Sequence, residues 1–236
     1  MRPLVISHRA RAGHAPENTL AGIRAALQIG ADAIEVDVQA SADGLPVLMH
    51  DLTLDRTTNG SGDLVSLTLE QLQALDAGGE PVPTFAQALE MTRGRALLVA
   101  EIKRPGCERA LAEVIRAAEA LADVMVWSFL PPALEAMRQA EPMVPGALLI
   151  APQSMGNWPS MQDLALRLDL QAVSVFHLNL DASVIAQARR HGLAVYAWTA
   201  DTERDIQRLL DLGVDGIVTN YPERALALQG RAAGSA

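Results

Sequence analysis

The sequence predicts an α/β fold, a TIM-type (β/α)8 barrel with a small insertion after the second strand region. Three observations carry this. Val/Ile/Leu-rich runs alternate with helix-period segments along the whole chain, the pattern of parallel strands joined by crossover helices. About eight such units can be counted if residues 46–50 form a side hairpin, which favours a closed barrel over an open sheet. No G-x-G-x-x-G follows the first strand, so an open dinucleotide-binding sheet lacks its marker.

In chain order, strands are expected near residues 4–9, 33–38, 46–50, 96–103, 124–129, 146–151, 172–178, 194–199 and 216–219. The helices between them show apolar stripes at helical spacing: Leu20, Ile23 and Leu27, then Leu111, Val114 and Ile115, then Ile206, Leu209 and Leu210. Asn18 or Thr19 can N-cap the first helix, and Gly30, Gly192 and Gly213 fall where helices should stop. Gly30-Ala31-Asp32-Ala33-Ile34 and Gly213-Val214-Asp215-Gly216-Ile217 share a faint likeness, as repeated βα units produce. Residues 51–83 break the rhythm: they are polar and glycine-rich with a short helical pattern at 68–75, and read as the insertion over one barrel mouth. Residues after Gly230 read as a frayed tail. No linker divides the chain, so one domain, 1–236, is expected.

The 236 residues suffice for one large core, and half of them are apolar. No apolar run approaches the roughly 20 residues that span a bilayer, and no signal peptide or stable membrane insertion is predicted. A single cysteine, Cys107, precludes an intrachain disulfide and suits a reducing, cytoplasmic setting. A net charge of −9 argues against nucleic acid and anionic membranes as partners. It leaves room for a small phosphate-containing substrate, since a bound metal and a few local cations override the global field. Oligomeric state has no signal in the sequence.

The chemistry gathers at strand ends. Side chains alternate along a strand, so Glu35 and Asp37 share one face while Ile34, Val36 and Val38 share the other; Glu101 and Lys103 stand likewise opposite Ala100 and Ile102. Three carboxylates from two strands would repel one another without a cation between them, and such hard oxygen donors suit Mg²⁺ or Ca²⁺. The bland alternative is a charge network in which Glu101 pairs with Lys103 or Arg104, and Glu35 and Asp37 pair with arginines. His8 and His50 end short apolar runs around these carboxylates and suit an acid–base pair; no H-x-x-x-H or H-x-H spacing supports zinc. His14 and His191 read as ordinary polar residues. Arg9 and Lys103 add cations able to grip phosphate oxygens. Together these residues describe metal-assisted phosphodiester hydrolysis.

His8-Arg9 with Pro16-Glu17-Asn18-Thr19, Glu35-Val36-Asp37-Val38, Asp43-Gly44 with Pro46-Val47, and His50-Asp51 resemble the signature of the glycerophosphodiester phosphodiesterases. The likeness continues through Asp55-Arg56-Thr57-Thr58, Val82-Pro83-Thr84, Glu101-Ile102-Lys103 and Ala197-Trp198-Thr199, nearly the whole chain. The resemblance implies a TIM-type barrel, one divalent cation (Mg²⁺ or Ca²⁺) on Glu35, Asp37 and Glu101, and His8 and His50 together as the acid–base pair. It implies that Arg9 and Lys103 contact the phosphate. The reaction it implies splits glycerophosphodiesters, such as glycerophosphocholine or glycerophosphoethanolamine, into sn-glycerol 3-phosphate and an alcohol. Ala10 departs from the family's usual glycine, implying an ordinary φ there or a slightly altered loop. The segment 151–161 matches no motif; its Trp158 and two methionines either contact the alcohol group or pack within their own loop. Trp198 could pack on the glycerol or cap the site, and His177 reads as a polar residue of the mouth. Alternatives are a phosphodiesterase of this fold acting on lysophospholipids, a metal-dependent barrel lyase or aldolase using Lys103, and a non-catalytic binding module.

Overall fold

Nine strands form one sheet in the computed structural model, which describes residues 2–11 and 15–231. They are β1 (Leu4–Ser7), β2 (Ala33–Ala40), β3 (Pro46–Leu48), β4 (Leu97–Ile102), β5 (Val124–Ser128), β6 (Gly146–Ile150), β7 (Ala172–Phe176), β8 (Ala194–Trp198) and β9 (Gly216–Thr219). Neighbours run β1-β9-β8-β7-β6-β5-β4-β2, and a further β1–β2 pairing closes the ring. These eight strands are parallel; β3 alone runs antiparallel, with Val38 opposite Leu48, and is the expected side hairpin.

The alternation seen in the sequence becomes two layers. Ile6, Ala33, Val99, Trp127, Leu149 and Tyr196 fill the barrel interior. Val5, Ile34, Val36, Val38, Leu98 and Ile102 face outward and pack against the helices. Those helices include α1 (Leu20–Ile29), α3 (Phe85–Thr92), α4 (Glu108–Ala117), α5 (Pro131–Ala140), α6 (Trp158–Arg167), α7 (Ala182–Arg190) and α8 (Glu203–Leu212). A Cβ on Gly216 would meet the Tyr196 ring at 2.6 Å, so the interior needs glycine there. Thr19 caps α1 by accepting from the Gly22 N–H, and Gly30 and Gly213 end α1 and α8 in the left-handed conformation.

The shared Gly-x-Asp segments have a structural reason. Asp32 precedes β2 and accepts the N–H of Val5 on β1 at 2.8 Å; Asp215 precedes β9 and accepts the N–H of Val195 on β8 at 2.8 Å. Each carboxylate caps a neighbouring strand at the N-terminal end of the barrel, and each also meets an arginine, Arg231 or Arg189. Arg231 corrects the expected fraying after Gly230: it binds both Asp32 oxygens, at 2.6 and 2.8 Å, and the Gly30 carbonyl. Residues 232–236 of that tail lie outside the described residues.

Between β3 and α3 the chain carries a short helix, α2 (Leu69–Gln73), with a capping box from Thr68 and Gln71. Leu54, Leu64, Leu72 and Val82 pack there on Val47 and Met49 as a cluster of their own. Among the described residues no helix is long and apolar enough to cross a membrane.

Candidate active site

Barrel parity brings the predicted residues to one place. Glu35 and Asp37 from β2 and Glu101 from β4 are buried, and Asp37 lies in register with Glu101. One ligand atom from each of the three lies within 4.8 Å of the others, a cluster that could hold a metal ion. Among the described residues, Glu35 Oε1 and Asp37 Oδ1 are buried without a hydrogen-bond partner, Asp37 Oδ1 having only an ion pair with Lys103. Two such oxygens in one cluster with a third carboxylate fit a hard divalent cation. The remaining oxygens are held: Glu35 Oε2 accepts the Arg9 N–H at 2.7 Å, and Asp37 Oδ2 accepts from Asn18 Nδ2 at 2.7 Å. Burial first, then Asp37 and Glu101, raise Glu35 well above an ordinary carboxylate. Burial and Asp37 push Glu101 up to about 7, against the pull of Lys103.

The charge network weighed against a metal site is present as well. Lys103 Nζ lies 2.6 Å from Glu101 Oε1 and 3.4 Å from Asp37 Oδ1, and Arg9 Nε lies 3.7 Å from Asp37 Oδ2. Two cations beside three carboxylates leave the cluster anionic when all are ionised, so the pairing leaves room for a metal ion. Burial would lower the Lys103 ammonium, but Glu101 and Asp37 outweigh it and hold it above its ordinary value. That is opposite to the neutral amine a Schiff-base lyase needs.

His8 and Arg9 ride on a tight turn that leaves β1. Arg9 and Ala10 have φ of 51° and 52°, so Ala10 keeps a left-handed backbone rather than the ordinary φ its side chain would favour. Surrounding bonds hold it there: Arg11 N to His8 O at 2.9 Å and Asn18 N to Arg9 O at 2.7 Å. His8 Nδ1 meets Asn220 Oδ1 at 2.9 Å. Burial and the adjacent Arg9 guanidinium push His8 below the ordinary imidazole value. His50 sits across the mouth, Nδ1 2.6 Å from Asp51 Oδ1. Arg56 from the insertion binds both Asp51, at 2.5 and 3.0 Å, and Glu17, at 2.6 and 3.0 Å. Glu17 in turn reaches Arg9 at 3.4 Å. One ionic chain therefore joins the two histidine loops, and its Arg56 bond is the main cause that holds Asp51 well below the usual carboxylate range. Buried Gln39, next along the inward face of β2, donates to the Met49 and Asp51 carbonyls at 2.9 and 2.7 Å and pins the His50 segment.

Glu17, Asn18, Asp51 and Arg56 stand within the recognisable motifs, where only Asn18 has an expected role, as an N-cap that Thr19 takes instead; Gln39, Asp201 and Asn220 stand outside every expected site. The parity that paired Glu35 with Asp37 extends to Gln39 on the same strand, and would have found it.

Trp198 joins His8, Glu35, Glu101, Trp127 and Phe129 around one small pocket. Its indole N–H is used, donating to the Ser174 carbonyl at 3.1 Å, so the ring is what it presents. Phe129 and Phe176 stand edge-on to it, each 5.4 Å away. A larger groove, lined by Leu89, Arg93 and Val114 among others, lies between α3 and α4 and contains none of these groups. Trp158 takes the packing alternative: it is buried in the helix layer, where Met155 and Met161 join it. His177 is a buried mouth residue whose carbonyl accepts from Arg208, and His191 caps α7. His14 lies outside the described residues.

Residues 8–224 match the model of the glycerophosphoryl diester phosphodiesterase family. A glycerophosphodiester phosphodiesterase from Caldanaerobacter subterraneus is 34% identical over 97% of this chain and 98% of its own. Among solved structures, an Oleispira antarctica phosphodiesterase in complex with the product sn-glycerol-3-phosphate superposes with a TM-score of 0.85 at 28% identity, covering 97% of each chain. A glycerophosphodiester phosphodiesterase from Agrobacterium tumefaciens does so with a TM-score of 0.85 at 28% identity, over 95% of this chain and 99% of that one.

Proposed function

This chain belongs to the glycerophosphoryl diester phosphodiesterase family, a family of hydrolases, and we propose that it hydrolyses small glycerophosphodiesters to sn-glycerol 3-phosphate and an alcohol in a metal-dependent reaction. The observation that carries this reading is the convergence of His8, Glu35 and Glu101 on one pocket at the C-terminal ends of the strands, the end where barrel enzymes do their chemistry. The product complex of the Oleispira relative supports the product.

In this reading Glu35, Asp37 and Glu101 hold Mg²⁺ or Ca²⁺, which when bound supplies Lewis-acid stabilisation to the phosphoryl oxygens. Arg9 and Lys103, whose guanidinium and ammonium edge the carboxylates, contact the phosphate. Burial favours a neutral His8, which takes the proton of the attacking oxygen as the new P–O bond forms, whether water attacks directly or the glycerol 2-hydroxyl attacks and water then opens the cyclic phosphate. His50 delivers the second proton to the departing alkoxide as the other P–O bond breaks. Trp198 packs on the glycerol. We further take residues 1–236 as one catalytic domain whose 51–83 insertion covers the mouth, supported by the Arg56 bonds to Glu17 and Asp51. A cytoplasmic setting is part of the proposal, supported by the single, free cysteine.

The test is release of sn-glycerol 3-phosphate from glycerophosphocholine with Mg²⁺ or Ca²⁺ added and with EDTA as control. Metal-dependent release is expected. Folded protein that releases none with either metal would refute the reading.

A further inference from the structure

We propose that Asn220 is a positioning residue that fixes the tautomer of His8, and that Asp201 in turn fixes the orientation of Asn220. The three residues follow the C-terminal ends of three adjacent strands, β8, β9 and β1. This inference rests on the reading that His8 moves a proton.

The argument is one of donors and acceptors. An ionised carboxylate such as Asp201 accepts hydrogen bonds and donates none. Its Oδ2 takes the Asn220 Nδ2 hydrogen at 2.7 Å, while Oδ1 takes the Asn220 backbone N–H at 2.9 Å and the Thr219 hydroxyl at 3.1 Å. With both oxygens engaged by the same short segment, Asp201 cannot turn away. Its own backbone carbonyl is tied too, accepting from Arg224 Nη1 at 2.6 Å. The amide of Asn220 must therefore face Asp201 with its NH₂; a flipped amide would press two acceptors together. Its oxygen is left facing His8 Nδ1 at 2.9 Å, and an amide oxygen only accepts. Nδ1 must then carry the hydrogen, and the neutral imidazole has a bare Nε2.

This arrangement differs from that of His50, whose Nδ1 faces the Asp51 carboxylate directly. An amide orients His8 without placing a full charge against it. Asp201 supplies its charge one residue further away, to the amide.

The experiment is long-range ¹H–¹⁵N correlation of the histidine rings in the full chain with Mg²⁺ present, paired with steady-state kinetics. Wild-type His8, assigned by the signal lost in His8→Ala, is expected with a protonated Nδ1 and an unprotonated Nε2. Asn220→Ala removes the acceptor, and Asp201→Asn frees the amide to flip. Both are expected to move His8 toward mixed tautomers and to lower kcat about 10- to 100-fold with little change in KM, the usual cost of losing an orienting hydrogen bond. Should Asn220→Ala fail to fold, the near-isosteric Asp201→Asn carries the comparison. The proposal is overturned by a wild-type His8 protonated on Nε2, or by folded variants that keep both the Nδ1–H tautomer and full kcat. Wild-type turnover in His8→Ala would instead refute the catalytic reading, which the tautomer of His8 does not decide.

Discussion

At the scale of single residues, the acid–base role proposed for His50 depends on its neighbours. Its ring is half-exposed at the mouth, and its orientation comes from Asp51, which is held by Arg56, which is held by Glu17. His50→Ala should lower kcat on the order of 10²–10⁴, the contribution of an acid–base group. Asp51→Asn should lower it in the same direction by less, because the ring stays but loses its fixed partner. Steady-state assays on both variants, with circular dichroism to confirm folding, check this; wild-type turnover in His50→Ala would remove its role. The histidines and carboxylates were legible as residues because charged groups ending buried strands have few structural uses. Their supporting partners were not, because Glu17 and Arg56 are 39 positions apart and look like ordinary surface charge until a fold brings them together.

Among elements, the turn after β1 is the most constrained. It places His8 on the pocket and offers the Arg9 N–H to Glu35, with two left-handed residues in succession. Helix α1 packs directly beneath it at Gly22, where an added Cβ would collide with the Ala10 carbonyl oxygen and lie 3.0 Å from that of Pro16. Both obstacles are backbone and cannot rotate away. Gly22→Ala should therefore destabilise the protein by about 1–3 kcal/mol, despite the higher helix propensity of alanine, as overpacking does. Thermal or urea unfolding measures this, and an unchanged or raised Tm would show that the turn yields. Strand and helix positions were legible here from alternation and capping. The backbone of Ala10 was not, because its conformation is imposed by bonds from Asn18 and Glu35 that no local preference encodes.

The whole molecule sets the electrostatics. Closing the barrel buries Glu35 and Glu101 beside Asp37, so both carboxyls bind protons more tightly than in the unfolded chain. A carboxyl whose folded value is raised contributes stability that is fully present below its unfolded value. That stability is lost as pH rises through the folded one. For Glu101 that window runs from the ordinary 4.5 to about 7. Protein stripped with EDTA should thus lose Tm between about pH 5 and about pH 8, while added Mg²⁺ or Ca²⁺ offsets the loss by binding the ionised form. The rise in Tm on adding metal should be larger at the higher pH. Scanning fluorimetry at both values tests it, and an equal rise at each would argue against these three carboxylates as the binding site.

By itself the sequence determined the barrel, the side hairpin and the shared face of Glu35 and Asp37, because side-chain alternation and helix capping are properties of a few consecutive residues. It left Trp158 between two readings, and only the tertiary structure decided for burial, since the helix layer offered it apolar neighbours. The tertiary structure also decided what each histidine touches. His8 finds Asn220 212 positions away, and that meeting exists only because β9 returns to pair with β1 and close the ring.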